Sequence, residues 1–172
     1  DPLVDALSGR VLLLRGLAGA AYPRLLRALD AFPEVGALHV AAADAALASG
    51  DVDEAERLLR QAQRCARPPQ ERERERVAAD LLWARGDGQA AFRAYEALLG
   101  RNVEANLRLG QYREGQGWHE RALNIYVSLA GSMPERLEVQ ASLLRAAEAW
   151  WRDLGDAARV EAVDRSLRDG FL

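Results

Sequence analysis

A short phrase of residues recurs along this chain, and the recurrence limits the fold more than any other feature of the sequence. The phrase reads Ala-Ser-Gly-Asp at 48–51 and Ala-Arg-Gly-Asp at 84–87, and an alanine follows each aspartate after four residues. A looser copy begins at Gly115, and a fourth begins at Leu154. The same phrase at a steady interval indicates stacked copies of one small unit.

The alanine after the phrase, or the residue in its place, gives the period of the repeat. It falls at Ala21, Ala55, Ala91, Ala122 and Val160, at intervals of 34, 36, 31 and 38 residues. We expect the glycine to end one helix in the left-handed conformation and the aspartate to cap the next helix. A large residue one turn after the small one fills the gap between two closely packed helices. The intervals therefore predict a series of helix pairs.

This pattern resembles the tetratricopeptide repeat, which has a 34-residue period and pairs a small residue with a large one in its second helix. The residues that carry the resemblance are Ala55–Leu59, Ala91–Tyr95 and Ala122–Tyr126, with Leu109-Gly110 in a first helix and the terminating prolines Pro33 and Pro134. The resemblance implies an all-α fold, an α-solenoid that forms a right-handed superhelix of about ten antiparallel helices.

About five degenerate copies cover the chain as a single repeat domain over 1–172. Their approximate bounds are 2–35, 36–71, 72–102, 103–140 and 141–172. The expected helices lie at 2–15, 22–31, 34–49, 52–66, 71–85, 88–99, 103–114, 118–130, 134–154 and 156–168. The fifth copy departs from the pattern, because Asp164 stands where a large residue belongs.

Composition excludes several classes of function. The net charge of −3 provides no large basic field, so a nucleic-acid partner is not expected. All 23 cationic residues are arginine, so the segment has neither a Schiff-base lysine nor a phosphate-loop lysine. The single cysteine, Cys65, permits no intrachain disulfide, and no apolar run approaches the length of a membrane span. We interpret both ends as cuts from a longer, bacterial protein.

The resemblance places partner binding in a concave groove lined by the first helices. The residues whose slots face this groove are Arg10, Leu13, Asp44, Leu47, Arg76, Asp80, Trp83, Leu107, Gln111, Arg145 and Arg152. We expect the arginines to hold carboxylates of a partner, and Trp83, Leu107 and Leu13 to anchor apolar side chains. For any single position the alternative is a solvated helix residue. A subtype of the family clamps chaperone tails with lysines and asparagines, and the absence of lysine argues against that role here.

Two further features have alternative interpretations. Trp118 replaces the capping aspartate in the fourth copy, where it is either an exposed anchor or a side chain that staples the turn. The alternating Glu-Arg run at 71–76 indicates a charged first turn with pairs such as Glu73–Arg76, and the alternative is an electrostatic docking edge. The two histidines lack metal-ligand spacing, and Cys65 is expected to be a buried, inert thiol. We expect no catalysis, cofactor or metal.

The expected function is a non-catalytic protein-interaction scaffold that binds another protein or a peptide. Arginine- and alanine-rich bacterial repeats of this type resemble periplasmic scaffolds of exopolysaccharide synthesis and export, a setting that favours the periplasm. They also resemble sensor or regulatory modules of cytoplasmic transcription regulators and kinases. Self-association through the solenoid ends, at Leu3, Val11, Val163 and Phe171, is a further alternative.

Overall fold

The computed structural model describes residues 1–67 and 69–170, with side chains described as far as 165; Phe171 therefore lies outside the described residues. Ten α-helices occupy this part of the chain. They are α1 (Pro2–Leu14), α2 (Ala18–Ala31), α3 (Gly36–Ala48), α4 (Val52–Ala62), α5 (Glu71–Ala84), α6 (Gly88–Ala97), α7 (Val103–Gly115), α8 (His119–Ser132), α9 (Leu137–Asp153) and α10 (Ala157–Gly170). The predicted all-α fold with about ten helices is confirmed.

A glycine ends the first helix of every pair, as the recurring phrase predicts. Gly16, Gly50, Gly86, Gly117 and Gly155 have φ angles between 72° and 85°, in the left-handed region that glycine adopts without strain. The residue after each glycine donates its N–H to a carbonyl five residues earlier, for example from Asp51 to Ala46 over 2.9 Å. This bond satisfies a carbonyl that the helix end would otherwise leave unpaired.

The aspartate of the phrase caps the second helix in three of the five pairs. The side chains of Asp51, Asp87 and Asp156 each accept a hydrogen bond from the backbone N–H three residues later, over 3.1–3.2 Å. Leu17 and Trp118 occupy the same position before α2 and α8, and neither provides a side-chain cap. The predicted capping role is confirmed where the residue is aspartate.

Two helix boundaries differ from the expected ones by four residues, and the start of α9 differs by three. Helix α2 begins at Ala18, so Pro23 lies inside it, where buried Ala18 and Ala21 hold the preceding turn against the core. Helix α4 ends at Ala62 because the chain then turns back beside the α2–α3 connection. There Arg67 accepts a hydrogen bond from the N–H of Gly36 over 2.8 Å.

The helices form two compact units, Asp1–Ala97 (unit 1) and Leu98–Leu172 (unit 2). In unit 1, α1–α2, α3–α4 and α5–α6 pack as pairs, α2 packs on α3, α4 packs on α5, and the first helices contact one another as α1–α3 and α3–α5. In unit 2, α7–α8 and α9–α10 are the pairs, and α9 packs on both α7 and α8.

Within a pair, the second helix packs closely against a small residue of the first. A Cβ atom at Gly110 would lie 2.5 Å from Cε1 of Tyr126, and one at Gly9 would lie 2.7 Å from Cγ of Leu25. Tyr126 and Leu25 are completely buried. The small-against-large packing predicted from the sequence is therefore present in both units.

Candidate partner-binding surface

The first helices α1, α3 and α5 of unit 1 contact one another in order, and seven of the predicted groove residues lie on them. These are Arg10, Leu13, Asp44, Leu47, Arg76, Asp80 and Trp83. Arg10 is exposed, Trp83 is 50% exposed, and Leu13, Asp44, Leu47 and Asp80 are partly buried. Arg76 differs from the rest because it is only 5% exposed.

The guanidinium of Arg76 is surrounded by three carboxylates of its own unit. It donates to Oδ2 of Asp80 over 2.7 Å, to Oε1 of Glu73 over 2.7 Å, and to both carboxylate oxygens of Asp44. Glu73 and Asp80 lie one turn before and after Arg76 on α5, whereas Asp44 reaches it from α3. We call these four residues the Arg76 cluster. The cluster ties α5 to α3 by charge-assisted hydrogen bonds.

A tyrosine from α6 extends the Arg76 cluster. The hydroxyl of Tyr95 donates to Oδ1 of Asp80 over 2.5 Å, and the Tyr95 side chain is 2% exposed. Asp80 is thereby held from two sides, by Arg76 on its own helix and by Tyr95 on the next. Three helices of unit 1 meet at this network, so its geometry is fixed by packing as well as by charge.

The electrostatics of the Arg76 cluster follow from its burial and its excess of acids. Burial raises the pKa of Asp44, and nearby Asp80 and Glu73 add to that rise, while Arg76 opposes it. Burial by itself works to lower the pKa of Arg76, but the surrounding carboxylates outweigh it and the pKa is raised. The cluster itself contains three carboxylates for one guanidinium.

The predicted role of Arg76 conflicts with this placement. It was expected to hold a carboxylate of a partner, whereas the structure commits it to carboxylates of this chain. The glutamate–arginine run at 71–76 predicted part of this network, because the expected pair Glu73–Arg76 is present. Asp80, one turn after Arg76, was a second signal in the sequence. The repeat register aligns Asp44 with Asp80, but only the packing of α3 on α5 brings Asp44 within hydrogen-bond distance of Arg76.

The predicted groove residues of unit 2 have different surroundings. Leu107 is 2% exposed and lies in the core, so it is not available as an anchor for a partner. Gln111 is partly buried. Arg145 is 52% exposed and donates to Oγ of Ser142 over 3.0 Å, and Arg152 is 65% exposed and pairs with Glu148. The two arginines are thus accessible at the surface, unlike Arg76.

Trp118 is 42% exposed, and the guanidinium of Arg121 lies 5.5 Å from its ring centroid. The tryptophan therefore covers the first turn of α8 and still exposes part of its ring. Trp150 is partly buried.

The thiol of Cys65 donates a hydrogen bond to the carbonyl of Gln61 over 3.4 Å, and burial raises its pKa. A raised pKa disfavours the reactive thiolate, as expected of an inert cysteine.

The described residues include no group of three or more histidine, cysteine or acidic side chains placed to hold a metal ion. Within the same part of the chain, every helix is too short or too polar to cross a membrane.

Comparison with known proteins identifies the fold. No protein-family model and no curated protein matches the chain. Among solved structures, the crystal structure of MamA protein matches 99% of this chain and 96% of its own, with 16% sequence identity and a TM-score of 0.56. MamA is a tetratricopeptide-like helical solenoid, and at this identity the likeness establishes the fold alone. The chain therefore has an all-α fold of the tetratricopeptide-like solenoid type.

Proposed function

We propose that this chain is a non-catalytic protein-interaction scaffold and that the first helices of unit 1 form its docking surface. The observation that carries the proposal is an exposed tryptophan held on a rigid support. Trp83 lies one turn after Asp80 on α5, and Asp80 is fixed by both Arg76 and Tyr95. Exposed aromatic side chains on well-packed supports are frequent energetic centres of protein interfaces.

Apolar contacts carry the binding in this proposal, with charge in a secondary role. Arg76 is occupied by carboxylates of its own chain, and Arg145 and Arg152 also have acidic neighbours. Trp83, with the partly buried Leu47 and Leu13, provides the apolar surface on α5, α3 and α1.

The test compares two exposed tryptophans. Proteins that bind the chain are captured from the native cell, identified, and titrated by calorimetry against the wild type, Trp83→Ala and Trp118→Ala. We expect Trp83→Ala to raise the dissociation constant by at least about tenfold, and Trp118→Ala to leave it nearly unchanged. Circular dichroism checks that both variants keep their helices. Equal affinity of all three proteins would show that α5 does not contact the partner.

Two cellular settings are proposed for such a scaffold. The first is the periplasmic machinery of exopolysaccharide synthesis and export, supported by the resemblance of arginine- and alanine-rich repeats to those scaffolds. The second is a regulatory module of a cytoplasmic transcription regulator or kinase. Fusion of the native protein to a reporter that folds only in the periplasm distinguishes them. An active reporter supports the first setting, and an inactive reporter with a stable fusion supports the second.

A further inference from the structure

One face of α1 carries a continuous stripe of exposed apolar side chains. Leu3, Val4, Leu7, Val11 and Leu14 are between 48% and 88% exposed. At 100° per residue these five positions fall within one arc of about 100°, so they lie on the same side of the helix. We call this surface the α1 stripe. Isolated exposed apolar residues are ordinary, but a contiguous row of five indicates an interaction surface.

The opposite side of α1 is already used by unit 1. Gly9 packs against Leu25, and Asp5 accepts hydrogen bonds from Arg24 and Arg27 of α2 over 2.9–3.3 Å. These contacts fix the rotation of α1 on α2, and they keep the α1 stripe on the side facing away. The predicted groove residues Arg10 and Leu13 lie beside the stripe rather than within it. The stripe is thus a surface separate from the docking surface proposed above.

The register of the repeat explains why α1 has an exposed apolar side. Aligned on the hinge glycines, Val4 corresponds to Leu38 of α3, and Leu7 corresponds to Val77 of α5. Leu38 is 7% exposed and Val77 is completely buried, in helices that pack on the second helix of the preceding pair. The α1 stripe is therefore apolar at positions where later repeats form a helix–helix interface, and an apolar helix would complement it.

We propose that the α1 stripe pairs with the α1 stripe of a second copy of this chain, in antiparallel orientation. A two-fold axis near the middle of the helix brings Leu3 of one copy beside Leu14 of the other and places Leu7 close to the axis. The exposed side chains of Asp1 and Arg15 lie at opposite ends of the same edge of α1. Antiparallel pairing places the carboxylate of one copy next to the guanidinium of the other, so the surface is complementary to itself.

As far as its side chains are described, to residue 165, the other end of the chain is a poorer partner for the α1 stripe. Helix α10 presents the exposed charged side chains Arg159, Glu161 and Arg165. Its groove with the end of α9, about 350 Å³ in volume, is lined by Arg152, Gly155, Ala157, Val160, Glu161 and Asp164. Three of those six residues are charged, so covering them with leucines would leave charges desolvated. A head-to-tail chain of copies is therefore disfavoured.

The apolar area that two copies bury between their α1 stripes limits the strength of the pairing. Full burial of a leucine or valine side chain removes on the order of 100 Å² of apolar surface, so the five exposed side chains hold roughly 300 Å² per copy. A pair then buries about 600 Å² of apolar surface, or about 1,000 Å² in total if roughly 60% of the interface is apolar, below the 1,200–2,000 Å² of total surface typical of stable complexes. The pairing is thus weak and reversible, and it becomes strong where copies are concentrated or tethered.

Sedimentation velocity across a concentration series from micromolar to millimolar tests the pairing. The test compares the wild type, Leu7→Glu and the matched control Val127→Glu, because Val127 is also about half exposed but lies on α8. We expect a concentration-dependent dimer for the wild type and for Val127→Glu. For Leu7→Glu we expect a dissociation constant at least about thirtyfold larger than that of the wild type. A monomeric wild type at every concentration, or equal dimerisation of all three proteins, would overturn the proposal.

Cysteine crosslinking tests the orientation. In a Cys65→Ser background, the Leu3→Cys protein and the Leu14→Cys protein are oxidised separately and as a mixture. Antiparallel pairing predicts that the mixture forms disulfide-linked dimers severalfold faster than either protein alone. Faster crosslinking of the separate proteins would indicate parallel pairing and would contradict the arrangement. No difference among the three samples would place the contact away from α1.

Discussion

Tyr95 in unit 1 and Tyr126 in unit 2 occupy the same slot of the repeat, but their surroundings differ. Both are buried, and both donate a hydroxyl hydrogen bond to a carboxylate on the preceding helix. Tyr95 reaches Asp80, whose other oxygen binds the buried guanidinium of Arg76. Tyr126 reaches Glu114 over 3.1 Å, and the nearby arginine of that site, Arg145, is half exposed.

The comparison shows how one packing slot supports two kinds of site. In unit 1 the tyrosine is part of a buried charge network that joins three helices. In unit 2 the carboxylate that Tyr126 reaches is 24% exposed, compared with 15% for Asp80, and the tyrosine ring packs against the backbone of Gly110. The repeat pattern specifies the tyrosine and the small residue. The charges around them are specific to each pair.

The largest expected effect is on stability, and it distinguishes Arg76 from Arg145. Arg76→Met removes the buried guanidinium that Asp44, Asp80 and the half-exposed Glu73 share, and we expect it to lower the free energy of unfolding by about 3–5 kcal/mol. Arg145→Met removes a half-exposed side chain and is expected to cost less than about 1 kcal/mol. Urea unfolding measures both, with tryptophan fluorescence as the signal. Similar costs for the two variants would show that the Arg76 cluster is not a buried network.

The second prediction concerns the close contact in unit 2. Gly110→Ala adds a methyl group that would lie 2.5 Å from the ring of Tyr126, a side chain with no exposed area. We expect a loss of about 2 kcal/mol, because overpacking outweighs the gain in helix propensity. Gly115→Ala is the control, since a Cβ there would meet nothing within 4 Å. Equal stabilisation by both changes would show that the ring of Tyr126 does not pack closely against Gly110.

The third prediction compares the two tyrosine hydroxyl groups. Tyr95→Phe removes a hydrogen bond to a buried carboxylate, and we expect a loss of about 1 kcal/mol. Tyr126→Phe removes a longer bond to a more accessible carboxylate and should cost less. Hydrogen exchange read separately for α5 and α7 shows which unit each change loosens. Faster exchange in α7 on Tyr95→Phe would contradict the assignment of Tyr95 to the Arg76 cluster.

The smallest effect is the pH dependence that Asp44 gives to unit 1. Because its native pKa is raised above the unfolded value of 3.8, the native state keeps the proton at a pH where the unfolded state has lost it. The stability from protonated Asp44 is therefore present at low pH and decreases as the pH rises through the native pKa. The wild type should lose stability relative to Asp44→Asn as the pH rises from about 4. Urea titrations at several pH values measure the free energy of unfolding of the wild type minus that of Asp44→Asn, and an increase of this quantity with pH would refute the prediction.

Helix pairing was predictable because the signals that set it are local. Gly50 and Asp51 end one helix and start the next through bonds to residues within five positions, and every hinge glycine behaves in this way. The boundary of α4 was less predictable. Its end depends on the hydrogen bond between Gly36 and Arg67, which are far apart in sequence.

The groove residues were predicted by position, and position alone does not determine exposure. Leu13, Leu47 and Trp83 have at least partial exposure, but Arg76 and Leu107 are buried. A charged residue on a helix is ordinarily exposed, so the burial of Arg76 follows only when Asp44 on another helix is in place to pair with it. The α1 stripe was only partly anticipated, through Leu3 and Val11.

The sequence by itself determined the helix pairs, their hinges, their caps and the slots where small residues meet large ones. These features depend on backbone conformation and on neighbours one turn away, so they can be recognised from spacing. Only the tertiary structure decided which arginine is buried, which tyrosine joins a charge network and which side of α1 is uncovered. Those outcomes depend on the distance between helices and on the solvent that packing removes, and neither quantity is encoded at a single position of the chain.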